Sequence, residues 1–512
     1  MNNLESSIRV GLEVNHCETD LYDMFAKSVS RFPDRISLIY GDSKISYMEL
    51  NRKVNEIALA IEQKIDPESK VVGICISRSI EQVVAILATL KLNRVCLMLN
   101  AQGESKVRVS YMLSTCGCNF VLSDKGVMKR KFSDQVQVYS YDDLENSKNA
   151  VTRNNQEYRG DLSSDNAFIF FTSGSTGSPK GVWVSHRSTI NSLQWRKELC
   201  DIECDDVFFY KAPISSDICL WEIFLGILNG ASIFIAKPLL QTNPKYLLDS
   251  INQHGISVVQ FVGSLLKKVL LDSPDIHDSK LRALMCGGEY WDGNLVSKVF
   301  EKFPGIRLFN FYGQTETSLG VLAYECNPEG NYIEVPLLNI CFNTVLAIGD
   351  KEHLCVGDVG ELWVGGEPLS SGYVNNEEAN QKSYTMIELR GLKKRFYKTG
   401  DYFRVLEGEK LEFVGRKDFQ VKLHGVRVQV EEIEQLVNSI EDVSASIARV
   451  ERANGLNKLT LYIVPISELV DLTDLKKTIR TSLPAAMTPD GIQFIETIPV
   501  TANGKVDRDF KI

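Results

Sequence analysis

The sequence predicts an α/β fold: a large N-terminal domain of layered α/β subdomains, followed by a small α+β C-terminal domain. Three observations predict it. Apolar runs of strand length alternate with helical apolar patterns through most of the chain. The character changes near Asp418, after which strand and helix patterns form a module of their own. The composition, 44% hydrophobic and 24% charged over 512 residues, is that of a globular protein long enough to bury ample core. The division falls between residues 1–415 and 416–512.

In LYDMFAKSVSRFP, Leu21, Phe25 and Val29 share one helical face, and Pro33 stops the helix. ISLIYGDSKISY reads as two strands around a Gly41–Asp42 turn. KVVGICIS is a buried strand, IEQVVAILATLKL a helix and CNFVLSD the next strand. DVFFYKAP and ASIFIAK are strands on either side of the apolar helix CLWEIFLGIL. SVVQFV, ALMCGG and LFNFYG are apolar runs bounded by turn residues, and GELWVGG and KLEFVGR are later strands. In the C-terminal module, FQVKLHGVRV is a strand with a glycine interruption. Ile433, Leu436, Val437 and Ile440 follow at helical spacing. A strand pair, SASIARV and KLTLYIVP, precedes the helix DLKKTIRTSL and the strand GIQFIE. Fixed-period repeats and low-complexity tracts are absent.

A net charge of −9 argues against a general nucleic-acid binder. The twelve cysteines contain one tight pair, Cys116 and Cys118, which is a poor zinc signature and reads as small buried hydrophobes. The N-terminus lacks the basic and apolar regions of a signal peptide. Apolar runs stay well short of the ~18 residues of a membrane span. Free thiols without an export signal point to the reducing cytoplasm.

The stretch FTSGSTGSPKGV, residues 171–182, lies between the extended patterns AFIFF and GVWVSH. A loop clamped between two buried strands is not a linker. Its glycines let backbone N–H groups approach an anion, its hydroxyls add donors and Lys180 adds a point charge. It is not a Walker A loop, because Pro179 precedes Lys180 and Gly181 follows it. Phosphate binding and a structural glycine-rich turn both remain open on these residues alone.

The loop resembles the signature of the adenylate-forming superfamily: acyl-CoA ligases, luciferases and the amino-acid adenylation domains of nonribosomal peptide synthetases. Further matches occur in the family's order: NFYGQTET, GELWVGG, YKTGD, GRKDFQVKLHGVRVQVEEIE, SLPAAMTP and TANGKVDR. Together they span almost the whole chain. The resemblance implies a two-step reaction. A carboxylate attacks the α-phosphorus of ATP to give an acyl-adenylate and pyrophosphate, and a thiol then attacks the activated carbonyl. Such catalysis is mainly positioning and charge stabilisation.

By resemblance, the loop carrying Thr172, Ser173, Gly174, Ser175, Thr176, Gly177 and Lys180 would hold the β- and γ-phosphates. Asn310 and Tyr312 would meet adenine, Thr315 phosphate, and Glu316 would hold Mg²⁺, a hard cation suited to carboxylate. Gln314 stands where relatives usually carry proline, a change that removes no catalytic group. Asp401 would accept hydrogen bonds from both ribose hydroxyls. Arg416 would approach ribose or phosphate, and Asp418 would be the hinge on which a mobile C-terminal lid turns. Lys505 would bridge the substrate carboxylate and the nucleotide oxygens. Two anions ~4 Å apart repel by about 4 kcal/mol at an effective dielectric of ~20, so this lysine is the expected catalytic residue. In the second step KLHGVRV would swing in, with Lys422 on phosphate and Gly425 opening a phosphopantetheine channel.

PISSDICLWEIF resembles the amino-acid branch, where Asp217 would pair with the substrate α-ammonium; a helix-capping aspartate is the alternative. Ser216 stands where relatives usually carry an aromatic residue. The side-chain pocket would comprise Ile218, Trp221, Gln260, Met285, Gly287, Phe311, Leu319 and Gly320, which suits a small or polar neutral side chain. The expected partner is a phosphopantetheinylated carrier protein in trans, because no carrier segment follows Lys505. A D-alanine–carrier protein ligase of teichoic acid synthesis, an acyl-CoA ligase and a non-catalytic homologue are the rival readings. LKLNRVCLMLNAQ, residues 90–102, departs from the family pattern and should alter packing rather than activity.

Overall fold

The computed structural model describes residues 8–17, 20–100, 104–127, 132, 136–146, 165–174, 178–271, 279–289, 293–332, 334–349, 354–389, 392–416, 420–423, 426–453, 456–466, 472–484 and 487–499. The first helix, Leu21–Arg31, starts where Asp20 accepts hydrogen bonds from the backbone N–H groups of Tyr22 and Asp23. Its inward face buries Leu21 and Phe25. The predicted Gly41–Asp42 turn joins strands Ile36–Tyr40 and Ser43–Ser46. A capping box between Ser46 and Glu49 then opens the helix Tyr47–Glu62.

Two large sheets dominate. A nine-stranded sheet carries the parallel strands Val207–Tyr210, Ser232–Ile235, Val258–Phe261, Ala283–Gly287 and Arg307–Tyr312. A seven-stranded sheet carries Val71–Cys75, Val95–Met98, Phe120–Ser123 and the antiparallel pair Asn166–Thr172 and Lys180–Ser185. One core cluster joins residues of both sheets and of the helices Tyr47–Glu62, Ile80–Lys91, His186–Leu199 and Ile218–Ile227. Ile80–Lys91 is buried almost all round, as a helix covered on every side must be. Within the divergent segment 90–102, Val95–Met98 is a buried strand paired to Val71–Cys75 and to Asn166–Thr172.

A six-stranded sheet follows, with the long strand Leu392–Val405 pairing both Val359–Gly366 and Leu411–Arg416. After residue 420 come a two-stranded and a three-stranded sheet, with helices Val430–Asn438 and Leu472–Ser482 enclosing a separate apolar cluster around Ile433, Leu461 and Ile479. The chain is thus an α/β protein with a small α+β C-terminal part. One local expectation changes. FQVKLHGVRV is not one interrupted strand but an antiparallel hairpin, Gln420–Leu423 against Val426–Gln429, with Lys422 opposite Arg427. Among the described residues no helix is long and apolar enough to cross a membrane. All twelve cysteines are unpaired; Cys118 is buried and its thiol is pushed up to about 12 by desolvation.

Candidate active site

The parallel register sets Gln260 beside Met285 and Gly287 beside Phe311. These residues lie toward the carboxyl ends of neighbouring strands, where open α/β sheets bind ligands. A Cβ on Gly287 would stand 2.6 Å from the carbonyl oxygen of Phe311, so this wall admits no side chain. After Tyr312 the chain makes a 3₁₀ turn, Thr315–Thr317, and returns so that the N–H of Val321 donates to the Tyr312 carbonyl at 2.9 Å. A Cβ on Gly313 would fall 2.2 Å from the Cα of Gly320. That close approach brings Leu319 and Gly320 back beside Phe311. Trp221, Met285 and Phe311 share one core cluster, with the partly buried Ile218 and Leu319 against it.

Asp217 occupies the N-cap position of the helix Ile218–Ile227, but its side chain makes no capping bond. Its carboxyl instead meets the Thr315 side chain. Burial raises its pKa above the ordinary aspartate value, opposed by Thr315 and by the positive charges of Lys422 and Arg196.

Asp401 is held from three directions. The Tyr312 hydroxyl donates to its Oδ2 at 2.5 Å, Gln314 Nε2 donates to the same oxygen at 2.6 Å, and Arg416 Nη1 pairs with Oδ1. Gln314 is itself fixed, donating to the Thr399 carbonyl at 3.0 Å and accepting from the Tyr397 hydroxyl at 2.8 Å. Asn310 Nδ2 donates to the Val335 carbonyl at 3.2 Å. A cavity of about 870 Å³ lies against Asn310, Tyr312, Asp401, Arg416, Lys422 and Arg427.

In the glycine-rich loop, Thr172 pairs with Lys180 across the two strands. A Cβ on Gly174 would lie 2.0 Å from the Ser178 carbonyl oxygen, so the loop closes on itself only with glycine there. Lys180 Nζ stands 5.0 Å from the centre of the Tyr373 ring. Ser175, Thr176, Gly177, Asp418, Gly425 and Lys505 lie outside the described residues.

Glu316 is 1% exposed. Its Oε1 accepts from the Tyr373 hydroxyl at 2.8 Å, and Arg427 Nη1 reaches Oε1 and Oε2 at 2.9 and 2.8 Å. Burial would raise the Glu316 pKa, but Arg427, the Tyr373 hydroxyl, a backbone N–H and Lys180 together hold it below the ordinary glutamate value. The Arg427 carbonyl also accepts from Ser173 Oγ at 2.8 Å, so the C-terminal hairpin touches both the phosphate-type loop and the carboxylate. Lys422 Nζ lies 3.5 Å from the Gly313 carbonyl oxygen; burial lowers its pKa, against the opposing pull of Asp401.

Among the described residues no group of three or more His, Cys, Asp or Glu side chains is placed to hold a metal. Mg²⁺ would therefore have to share Glu316 with phosphate oxygens, a normal arrangement for this ion. The donor chemistry fits once Arg427 is withdrawn, since both Glu316 oxygens now accept from it.

Sequence reasoning did not single out Tyr373 or Arg427, nor Gln314 as the support of Asp401. Arg427 lies inside a recognised motif, which was a usable signal. Tyr373 carried none.

The model of the AMP-binding enzyme family matches residues 25–374. The chain belongs to the AMP-binding enzymes, the adenylate-forming proteins that its motifs resemble. Zwittermicin A synthase ZmaJ of Bacillus cereus is 31% identical over 512 residues, covering 96% of this chain and 94% of that protein. Tyrocidine synthase 3 of Brevibacillus parabrevis is 30% identical over 496 residues, and this chain spans 8% of its length. Two solved structures share the fold. One is NpsA-ThdA of Klebsiella oxytoca, an artificially fused adenylation–PCP di-domain, with a TM-score of 0.82, 24% identity and 94% of each chain covered. The other is the o-succinylbenzoate CoA synthetase MenE of Bacillus subtilis, with a TM-score of 0.81, 22% identity and 95% and 97% covered.

Proposed function

We propose that the chain activates an amino acid with ATP as an aminoacyl-adenylate and passes the aminoacyl group to the phosphopantetheine thiol of a separate carrier protein, as in nonribosomal peptide assembly. One observation carries this reading. Three consecutive residues of a single turn bring three carboxylates together: Gln314 bonds Asp401, Thr315 meets Asp217, and Glu316 carries the third itself. That turn ties a ribose-type acceptor, an ammonium-type partner and a metal-type ligand into one rigid unit, as positioning catalysis requires.

In this reading Asn310 and Tyr312 flank adenine, Asp401 and Arg416 hold the ribose side, and Thr172 to Lys180 grip the leaving pyrophosphate. The α-ammonium of the substrate pairs with Asp217. Its side chain lies among Ile218, Trp221, Gln260, Met285, Gly287, Phe311, Leu319 and Gly320. The substrate carboxylate forms an O–P bond to the α-phosphorus as pyrophosphate leaves, with Lys505 neutralising the approaching anions. Mg²⁺ on Glu316 would neutralise phosphate charge. In the second half-reaction the thiol attacks the acyl carbonyl and AMP departs. The hairpin carrying Lys422 and Arg427 already faces the site, which supports the reading that residues 416–512 turn about Asp418 to serve the second step. The free thiols fit a cytoplasmic location.

The test is ATP–pyrophosphate exchange across amino acids, both enantiomers of alanine, and β- and hydroxy acids. Exchange dependent on an amino acid supports the proposal. Exchange with plain carboxylic acids but no amino acid overturns it. CoA and a phosphopantetheinylated carrier are then compared as acceptors, and preference for CoA would remove the carrier from the reading.

A further inference from the structure

Arg196 lies on the helix His186–Leu199 and is 3% exposed. Its guanidinium is wrapped by the proposed side-chain pocket. It stands 4.9 Å from the centre of the Phe311 ring, and its Nη2 donates to the Leu319 carbonyl at 3.0 Å. A Cβ built on Gly320 would meet Nη2 at 2.7 Å. The arginine therefore fills the space into which a side chain at 320 would project. Three residues assigned to that pocket contact it, and Asp217 and Arg196 feel each other's charge.

This cation has no carboxylate partner within ion-pair distance among the described residues. Its protein acceptors are the Ser192 carbonyl at 3.3 Å, the Ser192 hydroxyl, and the Leu319 carbonyl. A guanidinium has five N–H donors in a rigid fork, so these three neutral acceptors leave donors over. Buried charges are normally paired, and an arginine fork matches a carboxylate bidentately. Several buried ionic groups of this fold follow that rule: Lys211 pairs with Glu222, and Arg427 with Glu316, whereas Arg78 meets backbone carbonyls. Arg196 departs from it against Phe311, Leu319 and Gly320, residues of the proposed side-chain pocket.

We infer that Arg196 is a specificity-determining residue and that the substrate is an α-amino acid with an acidic side chain, whose distal carboxylate completes the ion pair. The inference rests on the amino-acid-activating reading above and changes its expected side-chain class from small or polar neutral to anionic. Asp217 would take the α-ammonium at one end and Arg196 the side-chain carboxylate at the other. Gln260, buried on the strand Val258–Phe261, is the other polar side chain of the proposed pocket. An acid is distinguished from its amide because the amide brings no charge and places N–H donors against a donor-only group.

The experiment is ATP–pyrophosphate exchange with L-aspartate, L-glutamate and L-2-aminoadipate, each beside its amide or a neutral isostere, for the wild type, Arg196→Met and Arg196→Lys. Unfolding and ATP binding are measured in parallel. The wild type is expected to prefer one acid over its amide by at least ~100-fold in kcat/KM, a floor below the ~10⁴-fold that sites built to bond a polar substrate group reach. Arg196→Met should lose that preference and turn toward neutral side chains while still binding ATP, and Arg196→Lys should retain part of it. A wild type that prefers a neutral amino acid overturns the assignment of Arg196 but leaves amino-acid activation standing. Exchange with no amino acid at all overturns both. If Arg196→Met fails to fold, the wild-type preference between acid and amide decides alone.

Discussion

Asp217 sits where a helix-capping carboxylate would sit, yet it caps nothing. Burial raises its pKa, so the folded protein holds it in a form that costs free energy when ionised. The sign follows. A carboxyl raised above its unfolded value favours the folded state below that value and penalises it as pH rises through the folded pKa. Asp217→Asn should therefore raise the melting temperature at neutral pH while sharply raising KM for the amino acid. In the wild type, amino-acid affinity should fall on the acid side beginning above the usual aspartate range near ~3.9, because only the carboxylate pairs with ammonium. Calorimetric titration against pH checks this, and an acid limb that survives in Asp217→Asn would refute it. Gln314 gives a second residue-scale prediction. Its φ is −132°, and its N–H donates to Thr317 Oγ1 at 3.1 Å. Proline, which the related sequences usually carry there, fixes φ near ~−65° and has no N–H. Gln314→Pro should cost about 3 kcal/mol and loosen Asp401, which loses the amide donor. Urea unfolding and ATP binding measure the two effects, and an unchanged midpoint with unchanged ATP affinity would show that Gln314 does not support Asp401.

Besides its apolar packing, the helix Ile218–Ile227 is fixed by one buried glutamate. Glu222 is 0% exposed; its Oε2 accepts from the backbone N–H groups of Lys211 and Ala212 at 2.8 and 2.6 Å, and Lys211 Nζ lies 3.3 Å from Oε1. It thus ties the helix to the end of the strand Val207–Tyr210 and sets where Asp217 and Trp221 point. Glu222→Ala strands Lys211 without a partner and should destabilise the fold by roughly 3–5 kcal/mol. A denaturation midpoint equal to the wild type would refute this. Apolar periodicity made this helix and the strands around it legible in the sequence. The motifs likewise marked the regions that meet at the turn Thr315–Thr317. The helix His186–Leu199 was not legible in the same way. In HRSTINSLQWRKEL the polar residues Ser188, Asn191 and Ser192 are buried because neighbouring chain satisfies them, as where Asn191 Nδ2 donates to the Phe342 carbonyl at 2.7 Å, while Arg196 is buried among neutral acceptors only. Pattern reading sees polarity and cannot see partners distant in sequence. The hairpin Gln420–Leu423 and Val426–Gln429 escaped for another reason: both arms have the same strand pattern, so only the pairing of Lys422 with Arg427 reveals the reversal.

At the scale of the whole molecule, two buried ionic contacts among the described residues join the part beyond residue 420 to the rest. Arg108, on the helix Lys106–Cys116, stands 2.5 Å from Glu432 and 3.0 Å from Glu104. Arg427 spans both oxygens of Glu316. In the proposed mechanism the second contact would couple the position of the C-terminal hairpin to chemistry at Glu316. Arg427 and a divalent cation on the same Glu316 oxygens would repel each other at that distance. The observed docking therefore competes with Mg²⁺ on Glu316, and binding of Mg²⁺ with ATP should drive the hairpin away. Arg427→Ala should weaken this docking, since cutting one partner from a buried pair costs about 3–5 kcal/mol, and should remove the competition for Glu316. Hydrogen exchange on the full chain reads the effect directly. Protection in Gln420–Leu423 and Val426–Gln429 should fall in Arg427→Ala, and in the wild type on adding Mg²⁺ with a non-hydrolysable ATP analogue. Protection in Val258–Phe261, far inside the nine-stranded sheet, should stay unchanged in both cases. A hairpin equally protected with and without Arg427 would mean that its position is set by other contacts, such as Glu432 with Arg108, and that Glu316 does not couple the nucleotide to the C-terminal part.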